Sequence, residues 1–487
     1  MKKFLLFITI TLQFSILNCL PAQTYPFVKY DANVMHYDSS AYGIQHFLSK
    51  WNRVQTTGQG SINIVHIGGS HVQAGVFPHR VRTNLLTAYP SLVGGRGLVF
   101  PYSAAAKCNN PHDYKVHCME KVLLTRNVHK SIEHPLGLCG IAVTAHDTFT
   151  RIQLLNNESR ISYPSSHIVV LGYSPQGVIP RLSYRQTADG MSPADGEDSQ
   201  TVFPSYIDTA TRRYIFNLRQ EVDSFDIILP CGRGETFTLT GVSLGNRKPG
   251  VTYHSIGVNG AAVPDYLKCQ YLTTDLRLVR PDLVIFGIGI NDANTNDFDT
   301  VAFKNNYLQL CDSILSVNAN CAFIFITNND SYRRTGRRKY AVNRNGMLVR
   351  DVCYRLAAET GGAVWDQFEI MGGLKSMQKW QTAGLARRDK VHFTRAGYEL
   401  IGDLFYEAFA KMLDTAPGIP AKVGGTPRKA PPSTTPKTQK EESVRTEKPR
   451  EEQKSPAKPK RATIEKPANA NSNTPATNDD RFPYISQ

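Results

Sequence analysis

Apolar residues along the chain fall into two alternating textures. Ile62 to Ile67, Leu283 to Ile290 and the run CAFIFI opening at Cys321 are short, almost wholly apolar, and each ends in Gly, Asn or Ser. Runs of that length bounded by turn residues read as buried strands. Between them the spacing becomes helical. Ile44, Phe47, Leu48 and Trp51 share one face of residues 40–57. VFPHRVRTNLLTAY, residues 301–318, RNGMLVRDVCYRLAAETG and the stretch that follows RDKVHFT also read as helices, and Gly361 and Gly362 end the third of these. HSIGVNGAAVPDYL reads as a strand, a glycine turn and a helix, and AVWD (363–366) as a short strand. Strands alternating with helices predict an α/β fold with a parallel sheet covered on both faces.

From residue 101 to 252 the helical spacing is lost. Short runs such as GIAVTAH, FTRIQLL, SHIVVLGY, FDIILP and TFTLTGVSL follow one another, separated by turn-rich segments such as TADGMSPADGEDS. Such punctuation predicts an antiparallel β-sandwich, jelly-roll-like, inserted into the α/β domain. The α/β domain then occupies 23–100 and 253–414. Residues 415–487 carry 12 of the 28 prolines and almost no large apolar residue, a composition that predicts disorder.

The first 22 residues have Lys2 and Lys3, an apolar core from Phe4 to Leu17, and Leu20-Pro21-Ala22 as a cleavage site. They read as an export signal, which places the protein in the periplasm or outside the cell. Lipidation at Cys19 is the rival reading and would attach the chain to a membrane; Asn18 before it fits that poorly. The net charge of +15 changes little. The tail holds 14 Lys/Arg and 8 Asp/Glu, and the remaining +9 is spread over more than 400 residues. No Arg/Lys stripe interleaved with aromatics is read in the folded part, so nucleic acid is not an expected partner. Eight cysteines follow Cys19, an even number that permits disulfides in an exported chain. Cys108 and Cys118 lie among His112, His117 and His129, but in no compact zinc-ligand spacing, so no metal and no cofactor is expected.

Candidate chemistry gathers at the ends of the predicted strands. Ser70 follows the first, Gly260 lies in the turn after the next, and Asn291 ends the third. Asp389 and His392 precede the last helix. The carboxyl ends of parallel strands share one edge, so residues over 300 positions apart can meet there. A serine, a histidine base, a carboxylate behind it and hydrogen-bond donors for an oxyanion are the parts of acyl transfer through a serine ester.

These segments, Gly68-Gly69-Ser70-His71, Val258-Asn259-Gly260-Ala261, Gly289-Ile290-Asn291-Asp292 and Asp389-Lys390-Val391-His392, resemble in order the four blocks of the SGNH (GDSL-like) hydrolase superfamily. The resemblance covers about 60–100 and 254–414 and implies a three-layer, flavodoxin-like α/β domain. It implies Ser70 as nucleophile, His392 and Asp389 as its partners, and Ser70, Gly260 and Asn291 as oxyanion donors. The family usually has Gly-Asp-Ser, and Gly69 replaces that aspartate. Val72 stands where Gly-x-Ser-x-Gly would need its second glycine, which excludes the nucleophile elbow of α/β-hydrolases.

The interrupting β domain, the leader, Met371-Gly372-Gly373 and Gly384-Leu385-Ala386 resemble exported SGNH enzymes of acetylated polysaccharides, including peptidoglycan O-acetylesterases and alginate O-acetyltransferase-like proteins. The resemblance implies a serine esterase that removes O-acetyl groups from an envelope or extracellular polysaccharide, peptidoglycan first. Transfer of the acetyl group to a sugar, or lipid acyl hydrolysis, would use the same site; a non-catalytic glycan-binding protein is the alternative of a different class. Trp380 is read as lining a sugar site by stacking, with a core tryptophan as the alternative, and His71 as structural or substrate-lining.

Overall fold

The computed structural model describes residues 24–105, 108–156, 161–185, 199–337 and 339–415. The predicted export signal with Cys19 and the predicted disordered tail from 416 lie outside the described residues. A six-stranded sheet forms the centre, with β1 at Met35–Tyr37, β2 at Ser61–Gly68, β3 at Gly250–Gly257, β4 at Leu283–Gly287, β5 at Ala322–Ile326 and β6 at Ala363–Trp365. Their order is β1-β6-β5-β4-β2-β3. β2 to β6 run parallel, and β1 joins β6 antiparallel. The parallel strands therefore take the flavodoxin-like order 2-1-3-4-5, with the direction of winding reversing between β2 and β4. At that reversal the connections leave in opposite directions and open a crevice beyond the strand ends.

The strands sort their side chains by parity into two cores. Ile62, Ile64, Leu283, Ile285, Ile324 and Trp365 pack with α1 (Tyr42–Thr57), α2 (Val76–Ala88) and, at the chain's end, α6 (Arg395–Asp414). Val65, Ile67, Val284, Phe286, Phe323 and Phe325 face the other way, onto α3 (Leu272–Val279), α4 (Thr300–Leu315) and α5 (Asn345–Thr360). Both faces being covered explains why these strands read as continuous apolar runs rather than alternating ones.

Two antiparallel sheets lie between β2 and β3 in the chain. One has five strands, in the order Ser199–Val202, Arg181–Arg185, Ser224–Pro230, Phe149–Asn156, Tyr114–Cys118. The other centres on Ser165–Tyr173 and Thr236–Gly245. Gly97–Val99, just ahead of residue 101, already pairs with Thr236–Gly245. Ile152, Leu182 and Ile227 of one sheet and Val143, Val170 and Phe237 of the other enter the core that also holds Phe286 and Leu276. The sandwich thus packs continuously with one side of the parallel sheet.

Buried histidines tie neighbouring strands, and His254 also ties the parallel sheet to the sandwich strand Gly97–Val99. His66 on β2 shares a hydrogen bond with the Tyr253 hydroxyl at 2.9 Å. His254 Nδ1 accepts the Leu98 N–H at 2.9 Å. Burial pushes both imidazoles down to about 3, with Arg96 and Arg82 adding to the effect on His254. An unfolded chain binds protons at these sites near pH 6.5 and the folded one does not until about 3, so stability is lost as pH falls through that window. Each group contributes up to about 1.4 kcal/mol per pH unit. Urea midpoints are expected to drop steadily from pH 7 to pH 4; a flat profile would contradict neutral burial of these rings.

Candidate active site

Every residue of the candidate site stands at the carboxyl edge of the parallel sheet, on both sides of the winding reversal. β2 runs out at Gly68, and Ser70 opens a single helical turn, Ser70–Gln73. As its first residue, Ser70 has an N–H with no intrahelical acceptor. After β3 the chain makes a β-turn in which Ala261 N–H donates to Val258 O at 3.0 Å. Gly260 occupies the third position with φ +86°, a conformation that costs side-chain-bearing residues and not glycine. Val258 N–H bonds Gly68 O, which also accepts from the Tyr266 hydroxyl at 2.8 Å, so the turn is tied to the end of β2.

Asn291 follows β4 and donates from Nδ2 to Ala261 O at 3.0 Å. A side-chain amide has two N–H donors, so one remains. Among the described residues no acceptor is bonded to the N–H of Ser70 or of Gly260. Gly69 lies between these groups. A Cβ added there would stand 3.3 Å from Asn291 Nδ2 and 3.5 Å from Ala261 O. The glycine that departs from the usual Gly-Asp-Ser lets the second and third segments approach closely, and its φ of −95° makes no further demand.

The fourth segment supplies the base. Ser70 Oγ and His392 Nε2 are 2.8 Å apart. Asp389 Oδ2 is 3.0 Å from His392 Nδ1, and Asp389 Oδ1 accepts the N–H groups of Val391 and His392, both at 2.9 Å. Burial disfavours the Asp389 charge, but the bonds and charge of His392 and the two backbone donors outweigh it, and the carboxyl sits at about 2. Asp389 is therefore ionised throughout the working pH range and orients the ring with Nδ1–H toward itself, leaving Nε2 as acceptor for the serine hydroxyl. Lys390 takes a left-handed conformation, φ +57°, in the tight loop, and Thr394 caps α6 by accepting Gly397 N–H.

Some positioning groups were not read from the sequence. Gln73, buried three residues after Ser70, accepts Asn259 N–H at 2.7 Å and holds the Gly260 turn. Its signal was a polar residue on the inner side of a single helical turn. Asp292 accepts Val263 N–H with both oxygens, at 3.1 and 3.2 Å. Burial pushes its carboxyl up to about 6 against those bonds.

Residues 237–400 match the GDSL-like lipase/acylhydrolase family. Over that stretch the chain is GDSL-like. The matched stretch contains Gly260, Asn291, Asp389 and His392 but not Ser70; the fold carries β2 back alongside β3 and β4 and adds Ser70. Among solved structures the chain is similar to a peptidoglycan O-acetylesterase, with TM-score 0.60 and 18% identity over 76% of this chain and 96% of that one. It shares that fold. An acetyl xylan esterase (TM-score 0.26, 16% identity, 32% of this chain, 81% of that one) and a family two carbohydrate esterase from Cellvibrio japonicus (0.25, 9%, 62%, 99%) are too distant to carry weight. No curated relative matches by sequence.

The structure corrects the reading of Trp380 as a sugar-stacking residue. Its ring is fully buried between Phe27 and Phe393, and its Nε1 donates to Met371 O at 2.9 Å. It packs the core beneath the Asp389–His392 loop. His71 is beside the site but turned inward. Its Nδ1 meets the Tyr398 hydroxyl at 2.9 Å, and its ring lies 5.3 Å from that of His392. Burial, reinforced by His392, pushes it down to about 3, so it is neutral and no second base for Ser70. His71 also lines a cavity of about 30 Å³ with Thr327, Asn328, Phe393 and Tyr398, room for about one or two waters. The eight cysteines from Cys108 to Cys353 are free thiols, all buried except half-buried Cys118.

Proposed function

We propose that the protein is a serine O-acetylesterase of an envelope or extracellular polysaccharide, peptidoglycan first, acting after export. The observation that carries the reading is the continuous chain of bonds from Asp389 through His392 to Ser70 Oγ, at 3.0 and 2.8 Å. In this reading Ser70 Oγ attacks the acetyl carbonyl while His392 Nε2 takes its proton. The N–H groups of Ser70 and Gly260 and the second N–H of Asn291 Nδ2 bond the oxyanion as charge develops. His392 returns the proton to the departing sugar oxygen and leaves acetyl-Ser70. It then takes a proton from water as the water oxygen attacks the acetyl carbon, and gives that proton to Ser70 Oγ as the Oγ–acetyl bond breaks, which releases acetate and restores the serine.

One feature supports acetyl over a long acyl chain. Ser70, Asn291 and His392 are all half-buried at the rim rather than at the foot of a tunnel, as a polymer laid across the surface requires. The shared fold with a peptidoglycan O-acetylesterase supports the choice of polymer. Acetate release measured on O-acetylated peptidoglycan, acetylated xylan and long-chain esters is expected to be fastest on the first and negligible on the last. Preferential turnover of long-chain esters would overturn the reading, and acetyl transfer to added sugar exceeding acetate release would make the protein a transferase.

A further inference from the structure

Residues 332–340 read YRRTGRRKY, five cations and no carboxylate. Tyr332–Gly336 and Lys339–Val342 pair as an antiparallel hairpin; Arg338 lies outside the described residues. Its base is bonded to both loops that build the site. Tyr332 N–H donates to the carbonyl of Lys390, between Asp389 and His392, and Lys390 Nζ lies 4.7 Å from the centroid of the Tyr332 ring. On the other side Arg333 bonds Thr295 O and Asn296 Oδ1, and Asn343 Nδ2 bonds Ala293 O, two residues past Asn291. The hairpin therefore rises from the rim of the Ser70 site.

Arg334, Arg337 and Lys339 on this hairpin are exposed, as is Arg388 next to Asp389. Among the described residues none of the four has an ion-pair partner. Carboxylates close by are engaged elsewhere. Asp330 is buried and accepts Met377 N–H, Asp389 holds His392, and Asp299 caps α4 through Val301 and Ala302. Exposed Asp297 lies on the loop that Arg333 grips. A cluster of uncompensated cations at the lip of a site raises the local concentration of anionic ligands.

Resting on the esterase reading, we propose that this hairpin is a docking edge for a polysaccharide bearing carboxylates near its acetyl esters, which lies across it into the Ser70 site. Carboxylates fit because these exposed cations have no ion-pair partner among the described residues and the hairpin that carries them is bonded to the loop of Asp389 and His392. The occupant is acetylated peptidoglycan, through its peptide-linked carboxylates, in keeping with the proposed substrate; acetylated pectin, with sugar-borne carboxylates, is the comparison polymer.

Binding to full-length Ser70→Ala protein at low salt tests this without turnover. R334E/R337E/K339E in that background is expected to weaken binding to O-acetylated peptidoglycan at least 10-fold, with the glutamine triple variant intermediate. A larger loss on acetylated pectin than on peptidoglycan would overturn the choice of peptide-linked carboxylates. Added salt should shrink the difference, since charges are screened beyond about 8 Å at 0.15 M. With Ser70 present, the charge-reversed protein should keep wild-type turnover of p-nitrophenyl acetate and an unchanged melting temperature. Unaltered binding in the triple variants, equal affinity for neutral acetylated xylan, or tighter binding of a DNA oligonucleotide would overturn the proposal. Failure of the esterase reading would show separately, as no acetate release by the wild type.

Discussion

Ser70→Ala is expected to lower acetate release by at least about 10⁴-fold with little change in fold or in polymer binding. Ser70 Oγ has one strong partner, His392 Nε2 at 2.8 Å, and lies on the surface of a short turn, so removing a hydroxyl there opens no core cavity. His392→Ala should cost about as much, and the double variant scarcely more, because the two groups act in one proton transfer. Steady-state kinetics of the three variants on O-acetylated peptidoglycan check this. Additive losses would mean that the two residues serve separate steps. A wild-type rate in Ser70→Ala would remove the serine from the chemistry altogether.

The largest expected effect on stability comes from a site far from Ser70. Asp275 on α3 is buried beneath the sandwich, where Oδ1 accepts from Arg212 Nη2 at 3.0 Å and Oδ2 from Leu138 N–H at 2.9 Å. Arg212 precedes the strand Arg213–Val222, is itself only 6% exposed, and lies over the Tyr271 ring at 3.4 Å from its centroid. Burial pushes the Asp275 carboxyl up despite this guanidinium. Asp275→Ala strands a buried cation and a backbone donor together, a loss of about 3–5 kcal/mol. Removing both partners, in Asp275→Ala/Arg212→Met, should recover part of it, because no charge is then left unpaired. Denaturant midpoints of the two variants measure the difference. Asp275→Ala within about 1 kcal/mol of wild type would show that Arg212 finds water instead.

The strand ends were legible because the apolar runs of β2 and β5 stop where those strands stop, and the run through β4 continues only to Ile290, three residues past Gly287. Ser70, Gly260 and Asn291 stand just past β2, β3 and β4, so a reading of run lengths already placed them on one edge. The Ser70–His392 contact was not readable from spacing, since it depends on α6 packing against α2 and the β2 face, where Phe405 meets Phe77 and His66. Trp380 misled because stacking on a sugar and packing in a core call for the same residue, and only burial separates them. β1 was missed for another reason. Three residues, Met35–Tyr37, carry no periodicity of their own and pair at the sheet's antiparallel edge through tertiary contacts. The hairpin at 332–342 was hidden by its location after a strongly apolar strand, where a polar run reads as a loop. Its cations gain meaning only when Tyr332 is seen against Lys390.

Rapid acid quenching of the wild-type protein during turnover of an acetyl ester, followed by peptide mass analysis, tests the central claim most directly. An acetyl group on the peptide containing Ser70, absent from Ser70→Ala and accumulating in a variant slowed in deacylation, is the predicted result. Turnover with no acetyl adduct on Ser70, or with one on another residue, would contradict it.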